Sequence, residues 1–328
     1  MALMAEQIRP LEFEVNNLLI GSSRCGLRAP SVVSVREINR PEGYRVPEYR
    51  NFHVVVEGDG IQAEGWGSGT LLEGIEKAKS EVFERYVFFA TNPLTDQRKS
   101  SSGWAAHLDF ASARNAAVAE LIERDSALSA WLNNGPYLAV PRSLWPQSVS
   151  SWAQLNSATT VEFGQPTVLL SLGANGCAAS VILGNKNGGG VTGHASGFDL
   201  NGAIVSAFFE ALRSAHAALR FEDFAEVVAL HSKDHAVSFG PGGNAMAYAY
   251  GEPLPSLNVQ YASAEQIKEC WRSHVSKLFA HVARARIDYF EISNRVVVHA
   301  ELDNVSQIFW GPTPASWKSK NNHPHIVG

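Results

Sequence analysis

The chain has 328 residues, 45% of them hydrophobic and 18% charged, and its formal net charge at pH 7 is −5. This composition allows a sizeable core and excludes a largely disordered chain. No apolar run approaches the roughly 20 residues of a membrane-spanning helix, and the first residues lack the basic start and apolar core of a signal peptide. The net negative charge does not indicate a basic surface that would bind nucleic acid. We therefore expect a cytoplasmic protein that binds neither a membrane nor nucleic acid.

Strand and helix patterns alternate along the chain. Val-rich, partly alternating segments predict strands at residues 12–20, 31–37 and 52–57, and further strand candidates are 167–172, 178–183, 287–292 and 295–300. Three longer segments predict helices, at residues 70–90, 111–132 and 200–219. Strand clusters separated by single long helices are typical of an α+β fold with mixed β-sheets. We expect one domain over residues 1–328, with residues 140–165 as the place where it could subdivide.

The cysteines and histidines predict no disulfide framework and no transition-metal site. Cys25, Cys177 and Cys270 stand far apart and form no CxxC pair. The eleven histidines are scattered and form no HExxH pattern.

The three predicted helices share an internal pattern. Each helical segment follows a glycine and then a tryptophan or histidine, and a glutamate comes about 16–17 residues after the glycine. The segments read GWGSGTLLEGIEKAKSEVFER, GWAAHLDFASARNAAVAELIER and GHASGFDLNGAIVSAFFEALR. The glutamates are Glu81, Glu120 and Glu210. This similarity indicates three copies of a strand-loop-helix unit around a shared site, and chance similarity between alanine-rich helices is the alternative.

The first two helices carry a Glu-x-x-Glu-Arg motif, formed by Glu81, Glu84 and Arg85 and by Glu120, Glu123 and Arg124. Residues at i, i+3 and i+4 share a helix face, so each motif presents two carboxylates beside one guanidinium. A single motif of this kind is most often an exposed, ion-paired face. The neighbouring residues are mostly apolar, however, which indicates buried helices whose carboxylates need cations. Carboxylates suit Mg²⁺ and arginines suit phosphate, so we expect a Mg²⁺–nucleotide site.

The common nucleotide-binding motifs are missing from the sequence. There is no GxxxxGK[ST] loop and no kinase catalytic loop. The glycine-rich stretches at 188–190 and 240–243 lack the strand-to-helix context of a phosphate-binding loop, and we expect ordinary loops there. A nucleotide site in this chain would have to be an unusual one.

Several segments resemble the YcaO family. The run SSSGWAAHLDFASARNAAVAELIERDSALSAWL is similar to the central signature of that family. GSGTLLEGIEKAKSEVFERY resembles its first acidic helix and GFDLNGAIVSAFFEALR its third. Weaker similarities are GSSRCGLRAP (21–30), KDHAVSFG (233–240) and RVVVHAELDNVSQIFWG. The resemblance spans nearly the whole chain, and cyclodehydratase subunits of azole-peptide biosynthesis are the comparison it suggests.

The resemblance implies a YcaO-like fold in which ATP and Mg²⁺ lie between the acidic helices. The implied Mg²⁺ ligands are Glu81, Glu84, Glu120, Glu123 and Glu210. The implied phosphate contacts are Arg85 and Arg124, with Glu120, Glu123 and Arg124 as the catalytic set. The residues implied near the nucleotide are Ser22 or Ser23, the loop from Ala105 through Leu108 to Asp109, and Arg213.

The implied reaction is ATP-dependent activation of a peptide backbone amide. A nucleophile adds to the carbonyl, the resulting oxyanion takes the γ-phosphate of ATP, and phosphate then leaves. The nucleophile is a Cys, Ser or Thr side chain of the substrate, which gives an azoline, or external sulfide, which gives a thioamide. The implied partners are a precursor peptide, an E1-like protein that binds its leader, a dehydrogenase and a second copy of the chain.

Two departures from the family pattern keep alternatives open. Many members carry a basic residue four positions before the glutamate of the third helix, where this chain has Ser206, and Arg213 is the candidate substitute. Azoline-forming members often end in an alternating proline tail, and this chain ends NNHPHIVG. Cyclodehydration is the leading expectation. A thioamide-forming enzyme and a non-catalytic accessory subunit are the alternatives.

Overall fold

The computed structural model describes residues 27–38, 50–92, 99–133, 135–156, 163–185, 190–218, 257–306 and 309–310. The predicted strand at 12–20, Ser22, Ser23 and the segment 233–240 lie outside these ranges. Within the described residues no helix is both long enough and apolar enough to cross a bilayer.

The N-terminal part is an antiparallel sheet covered by one long helix. Its strands, in the order β1-β2-β3, are β1 (Ser31–Ile38), β2 (Arg50–Gly58) and β3 (Ile61–Gly69). Helix α1 (Leu71–Thr91) follows directly and packs on β2 and β3. Thr70 and Glu73 form a capping box that fixes where this helix begins.

The middle of the chain repeats this arrangement. Strand β5 (Trp104–His107) leads into helix α2 (Phe110–Leu132). β5 pairs with β12 (Arg295–Glu301), which pairs with β11 (Arg286–Ile292). Two short strands form a separate antiparallel pair: β4 (Lys99–Ser100), which precedes β5 in the chain, and β13 (Phe309–Trp310), which follows β12.

The largest sheet lies on the other side of α2. Its strands, in the order β10-β6-β7-β8-β9, are β6 (Tyr137–Ala139), β7 (Phe163–Leu172), β8 (Cys177–Asn185), β9 (Gly190–Ala195) and β10 (Val259–Tyr261). Only β10 and β6 pair in parallel among these described strands, so the sheet is mixed. Three α-helices, α3 (Gln147–Leu155), α4 (Leu200–Ala218) and α5 (Ala264–Arg284), and a short 3-10 helix (Arg142–Leu144) complete the described elements.

Helix α2 is the central element of the described structure. It contacts β5 and β12 on one side and β7, β8 and β9 on the other. A helix between two sheets must be apolar on most of its circumference, and Val118, Leu121, Ile122 and Leu128 are fully buried. The polar residues on this helix therefore stand out against an apolar background.

The α+β class expected from the sequence is confirmed. The three predicted helices correspond to α1, α2 and α4, and six of the predicted strands correspond to β1, β2, β7, β8, β11 and β12. The long helix α5 and the strands β3, β5 and β9 are absent from the predicted elements. The loop expected at 188–190 is wrong for Gly190, which begins β9 and pairs with Gly184.

Candidate active site

The three repeated glutamates make the same contact in the three units. Glu81 Oε2 accepts a hydrogen bond from the backbone N–H of Trp66 at 2.7 Å. Glu120 Oε2 accepts from the N–H of Trp104 at 3.0 Å. Glu210 Oε2 accepts from the N–H of His194 at 2.8 Å. Each helix therefore holds the strand before it through the same carboxylate, so the sequence repeat is also a structural repeat.

The glycine that opens each unit makes this contact possible. A Cβ atom at Gly65 would lie 2.4 Å from the carbonyl oxygen of Ala78, and one at Gly193 would lie 2.1 Å from that of Ala207. Both distances are far inside van der Waals contact, so a side chain would push the helix off its strand. Gly103 in addition has φ +82°, a conformation that glycine adopts readily.

Charged side chains from α1, α2 and α4 converge between the units. Arg124 Nε lies 3.5 Å from Glu123 Oε1 and 3.7 Å from Glu120 Oε1. Arg213 Nη1 lies 3.5 Å from Glu81 Oε2, across the boundary between the third and first units. The side chains of Glu120, Glu123 and Arg124 are only 12–22% exposed. Each charge in this cluster is therefore poorly hydrated and depends on its neighbours.

The carboxyl groups respond to burial with raised pKa values. Burial raises the pKa of Glu120 from its ordinary 4.5 to about 7, against the opposing effect of Arg124 and two backbone N–H groups. Burial also raises the pKa of Glu84 and of Glu123 well above their usual range, and neighbouring carboxylates add to the effect. Burial acts to lower the pKa of Arg124, but the surrounding carboxylates outweigh it and raise that pKa. Full ionisation of this cluster is unfavourable without a further cation.

The cluster opens into a cleft of about 330 Å³. Five sequence-predicted site residues line it: Glu120, Glu123, Arg124, Glu210 and Arg213. Glu84 does not line the cleft, but its charge interacts with those of Glu120 and Glu81. Glu81 and Arg85 do not line the cleft either: Glu81 Oε1 is 2.6 Å from Arg85 and Oε2 accepts from the backbone of Trp66, which lines it. The structure thus brings the two Glu-Glu-Arg sets and the third helix together.

The predicted nucleotide segment, Ala105 to Asp109, covers the end of β5, reaches the start of α2 and lies outside the cleft lining. Ala105 is buried in the core under α2, and the Leu108 side chain is 62% exposed. Asp109 is the N-cap of α2 and accepts a hydrogen bond from Ser112 N at 2.8 Å. None of these three lines the cleft. Their contact with a nucleotide stays a prediction, as does that of Ser22 and Ser23, which lie outside the described residues.

Several cleft residues were not singled out from the sequence: Ser68, Lys77, His194, Ser196 and Phe209. Three of them had a signal. Ser68 and Ser196 each follow the opening glycine by three positions, in Gly-Trp-Gly-Ser and Gly-His-Ala-Ser. Lys77 also had one, because it stands one helical turn before Glu81 on the same face. His194 is 3% exposed, and its Nδ1 lies 2.9 Å from Ser180 Oγ.

The donor set of the cleft fits Mg²⁺ that is shared with phosphate. Among the described residues, no three acidic, histidine or cysteine side chains stand close enough to hold a metal ion by themselves. Mg²⁺ is usually bound by one or two carboxylates, with phosphate oxygens and water completing its octahedron. Backbone N–H groups occupy one oxygen of Glu120 and one of Glu210, and Glu123 accepts from the backbone of Ser196, so the remaining carboxylate oxygens match that pattern of few protein ligands.

Comparison with known proteins agrees with this chemistry. A family model described as a YcaO cyclodehydratase that binds ATP and Mg²⁺ matches residues 82–288. No curated protein matches the chain in sequence.

Two solved structures share the fold. One is a heterocyclase in complex with substrate and cofactor, with a TM-score of 0.59 and 13% identity over 84% of this chain and 50% of that one. The other is YcaO from Methanopyrus kandleri bound with AMPPCP and Mg²⁺, with a TM-score of 0.51 and 14% identity over 88% of this chain and 90% of that one. The chain thus spans half the length of the heterocyclase, and at these identities the likeness concerns the fold. Because the family match covers more than half of the chain, including α2 and α4, the chain belongs to the YcaO family, whose cofactors are ATP and Mg²⁺.

Proposed function

We propose that the chain uses ATP and Mg²⁺ to phosphorylate a backbone amide of a peptide, and that the product is an azoline ring formed from a Cys, Ser or Thr residue. The observation that carries this proposal is the cleft in which glutamates of α2 and α4 meet the buried Arg124. Membership of a family of ATP- and Mg²⁺-binding cyclodehydratases supports it.

The residues divide into those that hold Mg²⁺ and those that position them. Glu120, Glu123 and Glu210 face the cleft and would hold Mg²⁺, with Arg124 against the phosphate charge. Both oxygens of Glu81 are already engaged, one by Arg85 and the other by the backbone of Trp66. We therefore assign Glu81 and Arg85 to positioning the first unit, and Glu84 to the charge balance around Glu120.

The chemistry of the cleft is electrostatic. ATP supplies a phosphoryl group that turns a poorly leaving amide oxygen into phosphate, a good leaving group. Arg124 lies where it can neutralise phosphate charge, and burial makes its interaction stronger than it would be in water. Positioning and neutralisation are the main contributions of a protein to phosphoryl transfer, which explains a cleft of acids and arginines.

The proposed substrate is a precursor peptide, and the proposed partner is an E1-like protein that binds its leader. A dehydrogenase that oxidises the azoline and a second copy of this chain complete the proposed assembly. The support that the cleft gives for a peptide substrate is chemical. Phosphorylation of an amide requires that the backbone carbonyl oxygen of the peptide reach the phosphate bound in the cleft.

Calorimetric titration of MgATP tests the cofactor part of this proposal. Wild-type protein should bind MgATP saturably, and Glu123→Gln should weaken binding at least tenfold because it removes a buried ligand charge without changing side-chain length. Glu269→Gln is the matched control: Glu269 pairs with Arg272 on α5, and both side chains are 71% exposed. Equal affinity of Glu123→Gln and wild type would contradict the placement of MgATP on the acidic helices.

Mass spectrometry of a cysteine-containing peptide tests the product. Incubation with the chain, MgATP and the leader-binding partner should lower the peptide mass by about one water for each ring. A mass gain from exchange of oxygen for sulfur, seen only with sulfide present, would instead show a thioamide-forming enzyme. MgATP binding with no change in peptide mass and no ATP consumption would favour an accessory subunit.

A further inference from the structure

One wall of the cleft carries the ammonium group of Lys77. Lys77, on α1, lines the cleft beside Phe209, and its Nζ lies 5.7 Å from the centre of the Phe209 ring. Nζ makes no hydrogen bond and no ion pair with the residues that the structure describes. The carboxylate that attracts it is Glu73, one turn earlier, whose Oε2 accepts hydrogen bonds from Thr70 N at 3.3 Å and Thr70 Oγ1 at 3.0 Å.

A second cation lies close to Lys77. Arg213, on α4, lines the same cleft, where its Nη1 is 3.4 Å from the carbonyl oxygen of Trp66 and 3.5 Å from Glu81 Oε2. The pKa of Lys77 lies below its ordinary value because the cleft walls desolvate the ammonium and Arg213 repels it, against the attraction of Glu73. Lys77 is nevertheless exposed as a whole residue, so a ligand that enters the cleft can reach its ammonium group. The pair is thus a positive region in a cleft whose other charged lining residues are Glu120, Glu123, Glu210 and Arg124.

The structural repeat explains why both side chains point into the cleft. Lys77 stands four residues before Glu81, and Arg213 stands three residues after Glu210, so both share a helix face with the glutamate of their unit. Ser206 is the residue equivalent to Lys77 in the third unit, and it also lines the cleft. The short Ser206 side chain leaves room between the two cations and offers a hydroxyl donor.

We propose that Lys77 and Arg213 form a phosphoryl-binding subsite that holds phosphate oxygens at the end of the cleft away from Glu120 and Glu123. The proposal rests on the proposed function. Metal-bound polyphosphate needs carboxylates on the side of the metal and cations on the side of its free oxygens, and the cleft presents both. The alternative ligand is a carboxylate of the peptide substrate. It would pair with the two cations but would leave the glutamates of the cleft without a metal ion to bind.

Calorimetry on the full chain with three phosphate probes tests the subsite. The probes are a non-hydrolysable ATP analogue with Mg²⁺, ADP with Mg²⁺, and inorganic phosphate. Lys77→Gln should weaken binding of at least one probe about tenfold, and Lys77→Arg should restore most of it. Lys79→Gln is the matched control, since Lys79 lies on the same helix, pairs with Glu76 at 3.3 Å and does not line the cleft. Thermal unfolding of each variant checks that the fold is intact.

The pattern of losses identifies the source of the phosphoryl group. Weaker binding of the ATP analogue with unchanged binding of ADP would place the terminal phosphate of ATP at Lys77. Weaker binding of inorganic phosphate alone would make the subsite a product site. Unchanged binding of all three probes by Lys77→Gln would overturn the subsite while leaving the proposed function in place. Lysine-dependent phosphate binding by a wild type that binds no MgATP would keep the subsite and refute the proposed function, and a wild type that binds none of the probes would refute both.

Discussion

Replacing Glu120 by glutamine should stabilise the ligand-free protein at alkaline pH. Burial raises the pKa of Glu120 from 4.5 to about 7, so between these pH values the folded state binds a proton that the unfolded state has lost. Folding stability therefore falls as pH rises through this window. Each unit of pKa difference corresponds to about 1.4 kcal/mol, so ionised Glu120 costs the folded state about 3 kcal/mol at pH 8.

Glutamine should relieve this cost without losing the local structure. Its amide oxygen can accept the same hydrogen bonds from Gly103 N, at 2.9 Å, and Trp104 N, at 3.0 Å. Urea unfolding should show Glu120→Gln close to wild type at pH 5 and more stable by up to about 3 kcal/mol at pH 8. Glu269→Gln, at a pair that is 71% exposed, should show no pH-dependent difference.

Two further results decide whether this reasoning holds. Millimolar Mg²⁺ with ATP should stabilise wild type at pH 8 and have little effect on Glu120→Gln, because the ligand supplies the missing cation. If Glu120→Gln were instead less stable than wild type at pH 8, Arg124 would already compensate the carboxylate, and the acidic cluster would be an internal ion-pair network.

Two other substitutions probe how the units are built. Gly193→Ala should cost about 2 kcal/mol in urea unfolding, because its Cβ would lie 2.1 Å from the carbonyl oxygen of Ala207, whereas Gly184→Ala, with open space around the position, should be close to neutral. Asp109→Ala should cost about 1 kcal/mol through loss of the cap on Ser112 N and leave MgATP affinity unchanged, and a weaker affinity would support the nucleotide contact that the resemblance implies.

The acidic helices were predictable because their signal is local. Two glutamates at i and i+3 in an otherwise apolar helix must lie on the same, largely buried face. The observed bounds of α1 and α2 agree with the predicted ones within one residue at each end. The regular spacing between glycine and glutamate indicated that Glu81 has a repeated structural role, and the structure shows this role as a hydrogen bond from Trp66 N. Its role as a bond from helix to strand required coordinates, since a spacing alone does not say which backbone group the carboxylate meets.

Helix α5 was missed although its signal is present. Ser263 and Gln266 form a capping box, and Ile267, Trp271 and Leu278 recur at helical spacing toward the core. Its many charged residues between these positions lower the apolar content of the segment. The pairing of β5 with β12 joins residues almost two hundred positions apart, and no local pattern encodes such a contact.

The three units are alike in their strand contacts and unlike in charge, and that difference gives the cleft its polarity. The position three residues after the repeated glutamate is acidic in the first two units, at Glu84 and Glu123, and basic in the third, at Arg213. The position four residues before it is Lys77 in the first unit and Ser206 in the third. In the proposed subsite, Lys77 of the first unit takes the place of the basic residue that position 206 lacks. If so, Lys77→Gln combined with Ser206→Lys should recover phosphate affinity that Lys77→Gln alone loses, and failure of this exchange would show that the two positions do not serve the same ligand.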